Sequence, residues 1–200
     1  ALELKEKHGG NVVAINVGTA SNDIYIRKAL AIGADSAVRI DAEPSGSFFV
    51  ASQIAAYARE NDFDMVFTGK ETIDHNSAEV GPMIAELLYQ PFFSHAIELK
   101  ESEGGFEITC DVDGGEETYA CSGKFVLSAA KGLAEQRIPN MRGIMTARTK
   151  PFKVVEAYDS ETRSRNKNFE LPKEKGGIQL IDPDEVEKLH ELLRNEAKVI

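Results

Sequence analysis

The chain has 200 residues, of which 42% are hydrophobic, so it is long and apolar enough to bury a core, which excludes a wholly disordered protein. It contains no run approaching about 18 consecutive apolar residues, so neither a transmembrane helix nor stable membrane insertion is expected. Thirty-three acidic and 23 basic residues give a net charge of −10, which argues against nucleic acid as a partner.

The first ninety residues alternate between strand and helix patterns. The first seven residues resemble the last turns of an amphipathic helix that ends at Gly9–Gly10, so we expect a further segment before them. The patterns predict strands at 11–17, 36–40 and 65–68, and helices at 21–33, at 47–61 and from about Ser77 to Leu88. This alternation predicts an α/β fold, with a Rossmann-like parallel sheet and helices on both of its faces.

After Pro91 the pattern changes to strands alone. Alternating runs predict strands at 96–99, 106–112, 117–121 and 125–129. Gly-Gly pairs at 104–105 and 114–115 separate the first three of these runs, as in hairpin turns. We expect these strands to form an antiparallel extension of the sheet or a flap on its edge.

The end of the chain has a different composition. Residues 1–153 are predicted to form the α/β domain, and residues 154–200 an extended C-terminal arm. Residues 158–174 are polar and charged, which is typical of a linker. The sequence Asp182–Glu185 combines helix-capping signals, and a helix over 183–197 would carry an apolar stripe that needs a partner to pack against.

A candidate ligand site lies between the third predicted strand and the helix that follows it. Residues 69–82 would place a loop and the start of a helix at the carboxyl end of a parallel strand, where open α/β sheets bind ligands. Free backbone N–H groups near Ser77–Val80 would favour a phosphate, and the Val17–Ala20 loop would lie at the same edge. The alternative is that Gly69 and Gly81 serve only turns and packing, and the spacing alone supports both interpretations equally.

Positive charge is concentrated in residues 131–153, which we call the basic segment. It holds six basic residues and one acidic residue, so its charge is +5 while the rest of the chain carries −15. The six are Lys131, Arg137, Arg142, Arg148, Lys150 and Lys153. A basic surface on an acidic protein is typical of a site that binds an acidic partner.

Within the basic segment, three apolar side chains alternate with arginines. Met141, Ile144 and Met145 favour a protein-docking loop, because methionine is an adaptable anchor and arginine pairs with carboxylates. A nucleic-acid patch is disfavoured, because the stretch lacks aromatic residues. The alternative is a short helix with Ile144 and Met145 in the core and Met141 exposed.

No catalytic or metal-binding motif is present. The chain lacks GxSxG, HExxH, GxxxxGK[ST] and GxGxxG, its four histidines are scattered, and Cys110 and Cys121 do not have the spacing of zinc ligands. We therefore expect no metal site and no catalytic residues. Two cysteines and the lack of a signal peptide favour a reducing compartment of the cytosolic type.

Four motifs resemble the beta subunit of electron transfer flavoproteins. They are AIGAD (31–35), GKETID (69–74) followed by VGP (80–82), DGGEE (113–117) and RIPNMRGIMTARTKP (137–151). Their order and spacing agree over nearly the whole chain, and the last motif is highly specific.

The resemblance implies a heterodimer. An alpha subunit would hold the redox-active FAD, while this chain would form part of its wall, bind AMP structurally and act without catalytic residues of its own. The pair would take electrons from acyl-CoA dehydrogenases and related flavin enzymes and pass them to a membrane-bound quinone oxidoreductase. The implied compartment is the bacterial cytoplasm, or the mitochondrial matrix if the source is eukaryotic.

The resemblance also implies site residues. The AMP contacts would come from Val17, Gly18, Met65, Val66, Gly69, Thr72, His75, Ser77, Ala78, Glu79 and Val80. Partner contacts would come from Arg137, Ile138, Met141, Arg142 and Arg148, with Met141 as the apolar plug of a dehydrogenase pocket. Two positions depart from the family: Glu79 stands where glutamine is usual, and Thr146 where some relatives have a modifiable lysine.

Other functions remain open from the sequence. An electron-bifurcating relative would bind a second FAD in the AMP position and use NADH. A free-standing nucleotide-binding protein of the stress type would have little use for the docking loop or the C-terminal arm. An ATP-hydrolysing enzyme is the least favoured class, because the chain shows no phosphate-gripping lysine motif.

Overall fold

The computed structural model describes residues 1–164, 167–174 and 176–200. Contacts within the chain divide it into two compact units, Ala1–Asn166 and Lys167–Ile200. The first unit holds both sheets and most of the helices, and the second holds the last helix.

The helices are α1 (Leu2–His8), α2 (Asp23–Ile32), α3 (Ser47–Asn61), α4 (Val80–Leu88), α5 (Met141–Thr146) and α6 (Val186–Glu191). The strands are β1 (Val13–Gly18), β2 (Ser36–Asp41), β3 (Met65–Gly69), β4 (Phe92–Ser102), β5 (Gly105–Val112), β6 (Gly115–Cys121), β7 (Phe125–Ala129) and β8 (Phe152–Glu156). A short 3₁₀ turn (Ala20–Asn22) precedes α2, and a π-helical turn (Leu192–Glu196) follows α6.

The strands form two sheets. The first has the order β1-β2-β8 with all strands parallel. The second has the order β3-β7-β4-β5-β6, in which the first three strands are parallel and β5 and β6 continue as antiparallel neighbours. The predicted α/β class and its antiparallel extension are therefore confirmed.

Strand β8 was not predicted from the sequence. It is short, and its apolar pair Val154–Val155 is flanked by Lys153 and Glu156, so the stretch has little hydrophobic pattern. It forms a strand because it pairs in parallel with β2, in the register Ala37↔Phe152. Tertiary pairing thus determines a strand where local propensity is weak.

Fully buried apolar side chains lie on both sheets. Phe125 and Leu127 of β7 are fully buried beside Ile108 of β5. On the first sheet, Ile26 and Leu30 of α2 pack in one cluster with Ala37 of β2. Burying each such side chain contributes about 1.5–3 kcal/mol, so these contacts hold α2 and the ends of the strands in place.

An edge strand of the first sheet, β1, and an edge strand of the second sheet, β3, lie on opposite sides of one cavity. A cavity of about 540 Å³ is lined by Val13 and Ile15 of β1 on one side and by Met65 and Phe67 of β3 on the other, and α1 contributes further lining residues. Helix α3 connects β2 to β3 and packs against both sheets, as the crossover helix of a β-α-β unit does, so β3 runs in the same direction as β2 and its parallel neighbour β1. Their carboxyl ends therefore lie toward the same edge of this unit.

Candidate nucleotide and docking sites

The loop after β1 is tightly built. Gly18 is buried, and a Cβ at this position would overlap the side chains of Asn22 and Asn16, so only glycine fits without rearrangement. The Asn22 amide donates to Asn16 Oδ1 at 3.0 Å, which ties the loop back to its own strand. The turn between β1 and α2 is thus held in one conformation.

A buried arginine lies beneath this loop. Arg39 of β2 is only 5% exposed, and its guanidinium contacts Asp23, Asp41 and the Gly18 carbonyl. Prediction from the sequence missed this residue. The available signal was one arginine inside the otherwise apolar run Ala37–Ile40.

The second candidate loop, between β3 and α4, closes on itself. Thr72 N donates to the Ser77 carbonyl at 2.9 Å, and Ser77 N donates to Thr72 Oγ1 at 3.1 Å. Hydrogen bonds from the Thr72 hydroxyl and from the His75 N–H lower the pKa of Asp74 below its usual range. The loop is therefore ordered by its own polar groups, although its residues are mostly exposed.

The sequence predicts that this helix starts at about Ser77. In the structure α4 begins at Val80, three residues later. Gly81 lies against Phe92 and Thr68, and a Cβ there would come within 2.8 Å of both side chains, so the start of α4 packs directly onto the sheet. The Ser77 hydroxyl is buried and has no hydrogen-bond partner among the described residues.

These groups fit a phosphate. The first N–H groups of an α-helix have no partner within the helix, and they carry the positive end of its dipole. In α4 these are the N–H groups of Val80 and Gly81, because Pro82 has none, and together with the Ser77 hydroxyl they form a small set of donors that suits a phosphate. Glu79 is exposed at the N-cap of α4, so a carboxylate lies beside these donors.

The structure places the predicted nucleotide residues in different surroundings. Val17 is in the core, and Met65 and Val66 line the cavity between the sheets. The exposed members are the last residue of β3, Gly69, and four residues of the loop after it: Thr72, His75, Ala78 and Glu79. Within the described part of the chain, no hydrogen bond joins the Gly18 loop to this second loop.

The predicted docking segment contains the short helix α5. Asn140 caps it by accepting a hydrogen bond from Gly143 N at 2.7 Å. Met141 is 73% exposed, and Ile144 and Met145 are exposed as well. The alternative that places Ile144 and Met145 in the core is therefore wrong, and all three side chains are available to a partner.

The basic residues of this segment have different roles. Arg137 forms a two-pronged ion pair with Glu6 of α1, at 2.6 and 2.8 Å. Lys150 donates to the carbonyls of Leu30 and Ala34 and so caps the end of α2. Arg142 and Arg148 are exposed and form no ion pair within the described residues. The charge available to a partner is therefore smaller than the sequence count suggests.

The close approach of α5 to α2 depends on Gly143. A Cβ at Gly143 would overlap the backbone carbonyl of Ala31. Ala147, at the end of α5, is buried in the same cluster as Ile26 and Leu30. This contact fixes the orientation of the exposed face that carries Met141.

The beginning of the C-terminal arm, at Tyr158, is hydrogen-bonded to α3. Gln53 is fully buried, and its side-chain amide donates to the Tyr158 carbonyl at 2.9 Å and accepts from Tyr158 N at 2.6 Å. Burial and a hydrogen bond to Glu60 raise the pKa of Tyr158 to about 12. Farther along, the Arg163 guanidinium stacks 3.9 Å above the Phe48 ring. Residues 165 and 166 of the predicted linker lie outside the described residues.

The second unit is described by itself. Its helix α6 begins at Val186 rather than at Pro183, because Asp182 accepts a hydrogen bond from Asp184 N and forms a turn first. Val186 and Leu189 are exposed. Among the described residues of the whole chain, no helix is long and apolar enough to cross a membrane, and no group of metal-ligating side chains is found.

Comparisons with known proteins agree on one family. Residues 1–160 match the model of the electron transfer flavoprotein domain. The whole chain aligns at 33% identity with 83% of the electron transfer flavoprotein subunit beta of Bacillus subtilis. It also aligns at 33% identity with 82% of the mitochondrial subunit beta of Oryza sativa subsp. japonica. The chain therefore belongs to the electron transfer flavoprotein family, as a beta subunit.

Proposed function

We propose that this chain pairs with an alpha subunit that holds FAD, and that the pair carries electrons from acyl-CoA dehydrogenases and related flavin dehydrogenases to a membrane-bound quinone oxidoreductase. This electron transfer would take place in the bacterial cytoplasm or in the mitochondrial matrix. The family match over 1–160 supports the electron-carrier role. In this role the chain contributes binding surfaces, and the redox chemistry belongs to the flavin.

The observation that carries the docking part of this proposal is the exposure of Met141. The side chain stands at the first turn of α5, next to Arg142. An exposed thioether beside free guanidinium groups suits a shallow apolar pocket with an acidic rim. In our proposal Met141 and Ile138 supply the apolar contact, and Arg142 and Arg148 attract the partner's carboxylates. Arg137 mainly holds the segment onto α1.

The second part of the proposal is a structural AMP site. The loop from Thr72 to Val80 would hold the phosphate through the Ser77 hydroxyl and the N–H groups of Val80 and Gly81. Gly69 and His75 would flank the ligand, and the Val17–Gly18 turn would form the opposite wall. Bound AMP would supply no electrons, and its contribution would be to stabilise the fold.

We expect Glu79→Gln to strengthen AMP binding severalfold. A carboxylate about 4 Å from a phosphate charge costs on the order of 1 kcal/mol in water, and the amide removes that repulsion. The measurement is AMP titration by calorimetry on the complex purified with its alpha subunit and freed of nucleotide. Glu86→Gln is the matched control, because Glu86 is exposed near the other end of α4 and its loss changes the net charge equally.

The same preparation identifies the natural ligand. Denaturing the untreated complex should release one AMP for each FAD. Release of two FAD molecules and no AMP would contradict the AMP assignment and would support the electron-bifurcating alternative. Equal effects of Glu79→Gln and Glu86→Gln would show that Glu79 does not lie beside the phosphate.

Deletion of residues 176–200 should weaken assembly with the alpha subunit. The deleted part includes α6, which has six residues, and an isolated helix of that length is marginal in water. Exposed apolar residues such as Ile178 and Leu180 lie on the same stretch, so we propose that it packs on the partner subunit. Sedimentation velocity over a range of concentrations measures the assembly.

A double variant, Val186→Ser with Leu189→Ser, tests whether the apolar side chains of α6 cause the effect of the deletion. Glu187→Ser, a polar substitution in the same helix, is its control. Only the apolar pair should reproduce part of the loss. The thermal unfolding of the isolated chain should stay unchanged in all variants, and unaltered assembly after the deletion would refute the role of the arm.

A further inference from the structure

Arg39 is the one charged side chain that is buried among the described residues. It lies in β2 with 5% exposure, between Val38 and Ile40, which belong to the core. Burying a charge is strongly unfavourable unless it is paired and hydrogen-bonded. Apolar replacement of a buried ion pair is often neutral or stabilising, so we expect the contacts of Arg39 to serve something other than stability.

Those contacts join three elements at one point. Nε donates to Asp23 Oδ1, in the first turn of α2, at 2.7 Å. Nη1 donates to the Gly18 carbonyl, at the end of β1, at 3.0 Å, and also to Asp41 Oδ1 at the end of β2. A lysine could not reproduce this pattern, because a guanidinium has several donors in a fixed plane and an ammonium is a point charge.

The bond to Gly18 fixes the direction of a peptide group. In a trans peptide the carbonyl oxygen and the N–H of the next residue point in opposite directions. Because the Gly18 carbonyl points at the Arg39 guanidinium, the N–H of Thr19 points away from it. Arg39 therefore determines which way a backbone donor faces at the carboxyl end of β1.

We propose that Arg39 is a positioning residue of the nucleotide site, which holds the Gly18–Thr19 peptide so that the Thr19 N–H donates to the bound AMP. The inference rests on the proposed AMP site. The tight fit of Gly18 against Asn22 and Asn16 supports it, because a loop held on both sides presents its donor in one orientation only. Preorganised donors bind a ligand without the cost of ordering the loop.

The test compares AMP affinity in Arg39→Met, Arg39→Lys and wild type, by calorimetry on the nucleotide-free complex with the alpha subunit. Arg39→Met should weaken AMP binding about tenfold or more, which is the effect of losing one hydrogen bond from the Thr19 N–H to a charged acceptor. Both aspartates can turn to water in this variant, since the side chains of Asp23 and Asp41 are 36% and 57% exposed. Arg39→Lys keeps the charge, so it provides a folded variant if the methionine variant does not fold.

Arg59→Met is the matched control. Arg59 also donates to a backbone carbonyl, that of Leu87, at 2.6 Å, but it lies at the end of α3, away from the carboxyl ends of the strands. Both methionine variants should lose some thermal stability. Only the Arg39 variants should lose AMP affinity. Saturating AMP should slow hydrogen exchange of the Thr19 amide in wild type and in Arg59→Met, but not in the Arg39 variants.

Three results would overturn the inference. The first is unchanged AMP affinity in the folded Arg39 variants, and the second is an equal loss in Arg59→Met, which would indicate general destabilisation. The third is protection of the Thr19 amide by saturating AMP that is as strong in Arg39→Met as in wild type. Failure of the wild-type complex to bind AMP would instead refute the proposed nucleotide site. AMP binding by the wild-type complex is therefore measured before any variant is compared with it.

Discussion

Met141→Ala is expected to slow electron transfer from an acyl-CoA dehydrogenase about tenfold to a hundredfold at low partner concentration. Burying a methionine side chain in an apolar pocket contributes about 1.5–3 kcal/mol, and the alanine variant loses most of that contact. The measurement is stopped-flow reduction of the flavin in the complex with the alpha subunit. The ratio between variant and wild type should not change with salt, because the substitution removes no charge.

The control for this experiment is Tyr89→Ala. Tyr89 is a similarly exposed apolar side chain, but it lies at the end of α4, outside the basic segment. Its removal should leave the rate unchanged, and the FAD content should be the same in both variants. A Met141→Ala rate equal to that of wild type would show that α5 is not the docking element.

Gly143→Ala is expected to lower the stability of the chain and to displace the docking helix. The added methyl group would overlap the Ala31 carbonyl, which belongs to helix backbone and cannot rotate away. Forcing an extra carbon into a close contact costs about 1–3 kcal/mol. For a protein of this length each kcal/mol lowers Tm by about 2–4 °C, so a loss of several degrees is expected.

Calorimetry or circular dichroism measures this loss of stability. Gly115→Ala is the matched control, because Gly115 has an ordinary backbone conformation and nothing lies within 4 Å of its Cβ position. It should unfold at the wild-type temperature. Equal Tm values for Gly143→Ala and wild type would mean that α5 can shift away from α2 at no cost.

The parts of the fold with a strong local pattern were predictable from the sequence. Helix α3 has the predicted bounds of Ser47 and Asn61, because apolar residues recur at helical spacing along it. The hairpin strands β5 and β6 follow from their Gly-Gly turns. In contrast, β8 is a strand only because β2 pairs with it, and no local pattern contains that information.

The candidate site was predictable in composition but not in its contacts. The motif after β3 indicated a loop and a helix start, and both exist. The net charge of the basic segment did not reveal that Arg137 is paired with Glu6, whose position lies far away in the sequence. Arg39 and Gln53 are polar residues in apolar surroundings, and only the folded structure shows which groups they contact.

The late position of β8 in the chain has a consequence for biosynthesis. On a ribosome, β1, α2 and β2 are complete long before Phe152 is made, yet β2 pairs with β8 and the end of α2 is capped by Lys150. Likewise, the buried amide of Gln53 cannot form its hydrogen bonds to Tyr158 until that residue has been synthesised. Because contacts between distant residues form slowly, the first sheet closes only when nearly all of this unit has been synthesised. A nascent chain that ends before β8 therefore exposes one edge of β2, where unwanted strand pairing can begin.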